Sequence, residues 1–268
     1  MAYSLLRGSA FITGAAGGIG QSTAFAFARN GITKLALTDI NGYSLQKTRK
    51  LIKSEFPNVQ VLANTMDVRD KKQIVDTIDY IVSHFGRLDI AVNNAGIGGS
   101  GKPTHETPDD EIENVLAVNL MGVYKCQKEE LRTMLNQDDL GPRHGRGRII
   151  NVASMYGIVA PGPSVFYTAY STAKHAVIGL TKSDASSYGK HQIRINAICP
   201  GFVETPLMEK ASSGGDSNDV LQKTVDSTPI GRICMQEEIS ESIVSIASSM
   251  NSFMQGSAVV VDGGFTAY

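Results

Sequence analysis

The run at residues 13–20, TGAAGGIG, constrains the fold of this chain more than any other feature. It follows the apolar residues 10–12 and precedes residues 21–28, which have the pattern of a helix. A strand, a glycine turn and a helix N-terminus together form an anion site, because main-chain N–H groups point outward there and the helix dipole favours negative charge. Glycine permits positive φ and close approach of a phosphate oxygen. The turn therefore predicts a diphosphate site at Gly14, Gly18, Ile19 and Gly20, although a plain connector can have the same composition.

A second apolar run, residues 34–38, ends in Asp39, nineteen residues after Gly20. An acid at about this separation can accept hydrogen bonds from an adenosine ribose. Its carboxylate would repel a 2′-phosphate, and no basic residue lies beside it in the turn. The pattern favours NAD over NADP as cofactor. The alternative is that Asp39 is a solvated turn residue before Asn41 and Gly42.

Composition excludes several classes of function. The 268 residues are 42% hydrophobic, enough for one large core, and the net charge of −1 provides no field that would attract nucleic acid or anionic lipid. The three cysteines form no C-x-x-C pair, which supports neither a disulfide framework nor a zinc site. We expect reduced thiols in a cytoplasmic protein without a metal. No signal peptide and no membrane-spanning run is recognisable, so no membrane partner is expected.

Apolar runs of strand length alternate with amphipathic segments along the chain. The predicted strands cover residues 9–14, 34–39, 59–66, 88–93, 147–153, 194–198 and 257–261, and the helical patterns include 71–85, 109–135, 170–188 and 236–248. This alternation predicts an α/β fold, a Rossmann-type doubly wound parallel sheet of about seven strands flanked by helices, in a single domain over residues 1–268.

Two polar segments interrupt this alternation. Residues 136–146 are predicted to form an exposed connector, with a basic patch at Arg143, His144, Arg146 and Arg148 as the less favoured reading. Residues 209–219 are rich in glycine and small polar side chains, which indicates a mobile loop.

Polar residues follow two predicted strands at their carboxyl ends, where open α/β sheets bind ligands. Asn94 belongs to the NNAG run at residues 93–96 after the fourth strand, and Ser154 follows the fifth. Asn94 would lie beside the glycine turn, or it would end the strand as an Asx turn. The Ser154 hydroxyl would reach the same edge of the sheet.

Tyr170 and Lys174 share one helix face because they are four residues apart. A lysine cation at about 4 Å contributes on the order of 4 kcal/mol at an effective dielectric near 20. Such a cation would lower the pKa of Tyr170 from the usual tyrosine value near 10 toward neutrality, where a tyrosine can act as a general acid or base. Two other tyrosine–lysine pairs have this spacing but no hydroxyl at a strand end, and surface helix pairs account for them.

Taken together, these motifs resemble the short-chain dehydrogenase/reductase family, in its single-domain branch of about 250 residues. The matching positions are the glycine turn, Asp39, Asp67, Val68, residues 93–96, Asn119, Ser154, Tyr170, Lys174, Pro200, Gly201 and residues 262–264. The resemblance implies an NAD-dependent oxidoreductase that interconverts a secondary alcohol and a ketone. It also implies a small-molecule substrate and a homo-oligomer, either a tetramer or a dimer.

The resemblance further implies roles for individual residues. Tyr170 would be the acid/base, Ser154 would bind the substrate oxygen, and Lys174 would lower the pKa of Tyr170 and bind the nicotinamide ribose. Asn119 would hold a water that relays protons from Lys174 to solvent; otherwise it is a helix-interior asparagine satisfied by the backbone. Asp67 and Val68 would contact the adenine. The remaining cofactor contacts would come from Asn94, Ala95, Gly96, Val203 and Thr205.

Six residues are predicted to form an apolar substrate pocket, although several of them would equally fit the core: Met155, Tyr156, Pro161, Tyr167, Phe202 and Met208. Such a pocket predicts a bulky, mostly apolar substrate, as in secondary-metabolite or lipid tailoring, with a substrate lid near residues 205–225. Two other functions stay open. One is a net non-redox step such as isomerisation with the same fold and cofactor. The other is a dinucleotide-binding regulator without turnover, which would not need Asn119, Ser154, Tyr170 and Lys174 together.

Overall fold

Seven parallel strands form one sheet in the structure, a computed structural model that describes residues 4–163, 165–212 and 222–267. The strands are β1 (Ser9–Thr13), β2 (Lys34–Asp39), β3 (Gln60–Thr65), β4 (Ile90–Asn93), β5 (Gly147–Val152), β6 (Ile193–Pro200) and β7 (Ala258–Val261). Their order is β3-β2-β1-β4-β5-β6-β7. The predicted seven-stranded parallel sheet is confirmed. The strand order reverses between β1 and β4, and ligands bind at such a switch point in open α/β sheets.

Helices cover both faces of this sheet. They are α1 (Gly18–Arg29), α2 (Gly42–Glu55), α3 (Lys71–Phe85), α4 (Asp109–Leu116), α5 (Val123–Leu135), α6 (Thr168–Tyr188), α7 (Pro206–Ser212) and α8 (Gln236–Ala247). A π-helical turn, Ala117–Gly122, joins α4 to α5. The predicted helix over residues 109–135 is therefore helical throughout but widened in the middle, a distortion that often accompanies functional sites.

Helix α3 shows how local sequence sets an element. Asp70 caps its start by accepting hydrogen bonds from the main-chain N–H groups of Lys72 at 2.8 Å and Gln73 at 3.2 Å. Apolar side chains recur at helical spacing and are buried, Ile74 and Ile78 among them. Gly86 ends the helix in the left-handed region, at φ +82°. The observed bounds equal those predicted.

The hydrophobic core lies on both sides of the sheet. Successive strand residues point to opposite faces, so Ile12 packs in the cluster that includes residues of α1 and α8, whereas Phe11 packs with residues of α3 and α5. This two-sided burial explains why the strands lack polar alternation. Within the described part of the chain, no helix combines the length and apolarity needed to cross a membrane.

The two interrupting segments differ in how they compare with the sequence-based prediction. The predicted loop at 209–219 begins inside α7, and residues 213–221 lie outside the described part of the chain, as does that part of the predicted lid. The connector at 136–146 is irregular, as predicted, but Arg148 does not belong to an exposed basic patch. Its side chain is buried, and Nη1 donates to the Ala247 carbonyl at 3.0 Å, because it reaches under the end of α8.

Candidate active site

The glycine turn has the backbone geometry that its sequence predicts. Gly14 and Gly18 lie in the left-handed region, at φ +67° and +54°. A Cβ at Gly20 would lie 2.2 Å from the Gly14 carbonyl oxygen, so Gly20 is needed for α1 to pack on the turn. Gly17 precedes α1 without a side-chain cap, which leaves the first N–H groups of the helix to an anion. Ile19 is partly buried and packs against the core.

Asp39 and Asn94 hold this turn from two sides. Asp39 accepts hydrogen bonds from the N–H of Ala16 at 3.0 Å and from that of Asn41 at 2.9 Å. The Asn94 side-chain amide donates to the carbonyls of Thr13 at 3.0 Å and Gly14 at 3.1 Å. Each Asp39 oxygen keeps a free lone pair, so the carboxylate can orient the turn and still accept from a ribose hydroxyl.

Thr13 has a part in the site that sequence reasoning missed. Its hydroxyl oxygen accepts from the main-chain N–H groups of Asn94 and Ala95, both at 3.0 Å. These contacts join the ends of β1 and β4, where the sheet opens. A hydroxyl at the last position of β1 was the available signal, since it lies at the carboxyl edge of the strand.

Asp67 and Val68 are less open to an adenine than predicted. Arg69 binds the Asp67 carboxylate through two nitrogens, with Nη2 2.7 Å from Oδ2 and Nε 3.0 Å from Oδ1, and this ion pair lowers the pKa of Asp67. The Val68 side chain is buried, and a Cβ at Gly122 would lie 2.8 Å from its Cγ2. The side chain of Val68 therefore belongs to the core, and its main chain is the part that can border a ligand.

Ser154, Tyr170 and Lys174 come together beyond the end of β5. The Lys174 ammonium lies 5.4 Å from the centre of the Tyr170 ring and donates to the Val152 carbonyl at 2.8 Å. Ser154 Oγ accepts from the N–H of Tyr156 at 3.1 Å. The hydroxyl hydrogen of Ser154 is then available to another oxygen.

The pKa of Tyr170 departs from the prediction. Burial raises the pKa of Tyr170 to about 12, and a hydrogen bond with Ser154 opposes that rise. Burial also lowers the pKa of Lys174 to about 8, because the ammonium has lost its water. The predicted lowering of the Tyr170 pKa by Lys174 is not observed, because desolvation is the largest effect on both groups.

Asn119 is buried in the π-helical turn and faces the main chain of Ile97. Its Oδ1 accepts from the N–H of Ile97 at 2.8 Å, and its Nδ2 donates to the carbonyl of Ile97 at 2.7 Å. A Cβ at Gly96 would lie 3.2 Å from Asn119 Oδ1 and 3.7 Å from Lys174 Nζ, so Gly96 separates the two side chains. The side chain of Asn119 is thus satisfied by the backbone, and its part in a proton relay stays a prediction.

Val203 and Thr205 border the glycine turn from the other side. Val203 is buried and pairs with Cys234 in an isolated parallel bridge. The Thr205 hydroxyl donates to the Val203 carbonyl at 3.2 Å and accepts from the N–H of Met208 at 3.3 Å. A Cβ at Gly18 would lie 3.4 Å from Thr205 Cγ2. Gly18 and Thr205 are therefore 187 residues apart in the sequence but flank one crevice. The positive-φ glycines and the uncapped start of α1 in this crevice fit a dinucleotide.

A shallow, open cleft lies beside Tyr170. Its lining residues come from the segment after β4 and from the start of α6: Gly99, Gly101, Lys102, Thr104, Thr107, Glu111, Ile112, Phe166, Tyr167, Thr168, Ala169 and Tyr170. Lys102 and Glu111 add charged groups to a lining whose exposed surface is mostly apolar. The mixture of glycine, threonine and charge after the NNAG run was the sequence signal for this cleft.

The structure describes the surroundings of several residues that were predicted to form an apolar pocket. Tyr167 does line the cleft. Tyr156 and Phe202 instead pack edge-to-face with Phe265, with ring centres 6.1 and 5.6 Å from it. Met155 is buried. Phe265 returns to these rings from the end of the chain. Burial, together with the nearby Tyr167 and Tyr170, raises the pKa of Tyr156 to about 12, so Tyr156 lies close to the cleft as well.

Comparison with known proteins places these features in a family. The family model described as enoyl-(acyl carrier protein) reductase matches residues 14–266. Short-chain dehydrogenase anuF of Penicillium roqueforti is 35% identical, over 97% of this chain and 96% of that protein. Cis-4-hydroxycyclohexanecarboxylate dehydrogenase of Sinomonas cyclohexanicum is 35% identical, over 96% of each. The crystal structure of levodione reductase superposes with a TM-score of 0.88 at 31% identity, over 97% of this chain and 98% of that one.

Proposed function

The chain belongs to the short-chain dehydrogenase/reductase family, and from this we propose that it uses NAD(H) to interconvert a secondary alcohol and a ketone. Membership in the family makes it a dehydrogenase or reductase with a nicotinamide dinucleotide cofactor. The observation that carries the finer proposal is the meeting of Ser154, Tyr170 and Lys174 beside the crevice between the glycine turn and Thr205. The choice of NAD rests on Asp39.

Each of the three side chains has a chemical task in this proposal. When bound, the cofactor supplies or accepts the hydride. The Ser154 hydroxyl donates a hydrogen bond to the substrate oxygen and orients it toward Tyr170. Tyr170 gives its phenolic proton to that oxygen during reduction and takes it back during oxidation.

Lys174 assists by charge. With a pKa of about 8, its ammonium is mostly protonated at pH 7 and stabilises the tyrosinate that forms as Tyr170 gives up its proton. Because burial raises the pKa of Tyr170 to about 12, the tyrosine is protonated in the protein alone and is ready for the reduction direction. Oxidation requires that Tyr170 first lose this proton, so its rate should rise with pH.

Two of the relatives support a cyclic substrate, since the names levodione reductase and cis-4-hydroxycyclohexanecarboxylate dehydrogenase denote enzymes with such substrates. We infer that such a ring would bind in the cleft beside Tyr170. Phe166 and Tyr167 provide flat walls against which such a ring can pack.

The decisive experiment replaces Tyr170 by phenylalanine and assays hydride exchange between NADH and a panel of cyclic ketones. We expect turnover to fall by about 10² to 10⁴, as for loss of a general acid, while NADH binding is kept. Tyr167→Phe is the matched control, because its ring lies 6.4 Å from that of Tyr170 without the nearby lysine. Undiminished turnover by Tyr170→Phe would exclude the mechanism. Products formed without net NADH change would indicate isomerisation instead.

A further inference from the structure

We propose that the natural substrate carries a carboxylate and that Lys102 binds it in the cleft beside Tyr170. This inference rests on the proposed function, because it names the substrate class for the same site. Lys102 and Tyr170 line the same cleft. The reacting oxygen and the carboxylate would therefore belong to one small molecule.

Lys102 is a cation of the cleft that has no ion-pair partner among the described residues. Its side chain is exposed, and no acidic residue within the described ranges forms an ion pair with it. Other cations on the surface of this protein do have acidic partners: Arg69 pairs with Asp67 at 2.7 Å, and Arg232 with Glu238 at 2.7 Å. A lysine without a partner in a substrate cleft is available to a ligand anion.

Glu111 also lines the cleft and keeps its charge, but its carboxylate is bound to the main chain and forms no ion pair with Lys102 among the described residues. Its Oε1 accepts from the N–H of Ser100 at 2.6 Å, and a Cβ at Gly99 would lie 3.1 Å from the same oxygen. Glu111 also lies in the first turn of α4, where the helix dipole stabilises a negative charge. The carboxylate thus fixes the glycine-rich segment that precedes Lys102.

The start of α6 adds to the preference for an anion. Thr168, Ala169 and Tyr170 form its first turn and line the cleft, and the preceding Tyr167 provides no side-chain cap. The hydroxyls of Thr104 and Thr168 are 3.0 Å apart, and both line the cleft. Lys102 supplies the charge, and these polar groups surround the ligand that it binds.

The test compares matched neutral and charged ketones: 4-oxocyclohexanecarboxylate and its methyl ester. We expect the acid to have the higher kcat/KM with wild-type enzyme and NADH. Lys102→Gln should lower the acid-to-ester ratio about tenfold, equal to about 1.4 kcal/mol. Lys102→Arg should keep most of the ratio. Glu111→Gln retains an acceptor for the Ser100 N–H and removes a negative charge from the cleft, so it should raise the acid-to-ester ratio. Lys53→Gln, on the exposed face of α2, is the control and should change nothing.

Binding of both compounds to the NADH-loaded enzyme is measured by cofactor fluorescence. This measurement distinguishes failure of the proposed function from failure of the carboxylate inference. If neither ketone is reduced but the acid binds more tightly than the ester in a Lys102-dependent manner, the proposed reaction is wrong and the carboxylate site stands. If the ester is reduced as well as the acid, or the ratio is unchanged in Lys102→Gln, the carboxylate inference is overturned while the oxidoreductase function stands.

Discussion

Glu130 is buried on α5, and we predict that its carboxyl group is protonated in the folded protein at neutral pH. Its Oε2 accepts from the side-chain amide of Asn93 at 3.0 Å. Its Oε1 and the Asn93 Oδ1 are both buried without a hydrogen-bond partner in the described protein. One proton on Glu130 can serve both atoms, because a protonated carboxyl donates to an amide oxygen while accepting from the amide N–H. Burial raises the pKa of Glu130 to about 8, which agrees with this assignment.

The effect of Glu130 on the free energy of unfolding follows from the difference between its pKa values in the folded and unfolded states. Glu130 has a pKa near 4.3 in an unfolded chain and about 8 in the folded protein. Between these values the folded protein binds more protons than the unfolded chain, so the stability that Glu130 contributes at low pH is lost as pH rises. The slope is at most about 1.4 kcal/mol per pH unit. From pH 5 to pH 7 the loss is on the order of 3 kcal/mol.

The perturbation is Glu130→Gln, which resembles the protonated acid because its amide can accept from Asn93 and donate to it. Urea unfolding of both proteins at equal concentration, at several values between pH 5 and pH 7, gives the free energy of unfolding. We expect the free energy of unfolding of the variant, relative to that of wild type, to increase by about 3 kcal/mol from pH 5 to pH 7. Glu129→Gln, which removes a carboxylate paired with Arg132 at 2.7 Å on the same helix, is the control. A wild-type-to-variant difference that stays constant within about 0.5 kcal/mol would refute the reasoning, as would an equal slope in the control.

The remaining predictions concern the cofactor crevice. Gly20→Ala places a Cβ 2.2 Å from the Gly14 carbonyl oxygen. We therefore expect a lower melting temperature and more than about tenfold weaker NAD binding by calorimetry. An unchanged Kd would show that the turn accommodates the methyl group and would contradict this prediction. Asp39→Ala removes the acceptor for the Ala16 N–H, and we expect weaker NADH binding together with relaxed discrimination against NADPH. Tighter binding of NADPH than of NADH by wild type would contradict the assignment of Asp39.

The fold of this protein was predictable because the information is local and repeated. Parallel strands buried on both faces are runs of apolar residues, and β2 and α3 have the bounds that their sequence patterns predict. The glycine turn and the i, i+4 pair of Tyr170 and Lys174 are likewise short-range patterns, and the sheet topology brings them to one edge. The sequence by itself therefore determined the architecture and the chemical types of the site residues.

Tertiary structure alone decided the properties that depend on distant parts of the chain. The pKa of Tyr170 depends on how much water its neighbours remove, which spacing along one helix does not contain. Tyr156 and Phe202 pack edge-to-face with Phe265, which comes from the end of the chain. The observed cleft instead joins Lys102 to Tyr170, residues whose proximity follows from packing of α4 against α6. Desolvation and packing depend on the sum of many contacts between distant parts of the chain. These properties could not be predicted from the sequence because those contacts exist only after the chain has folded.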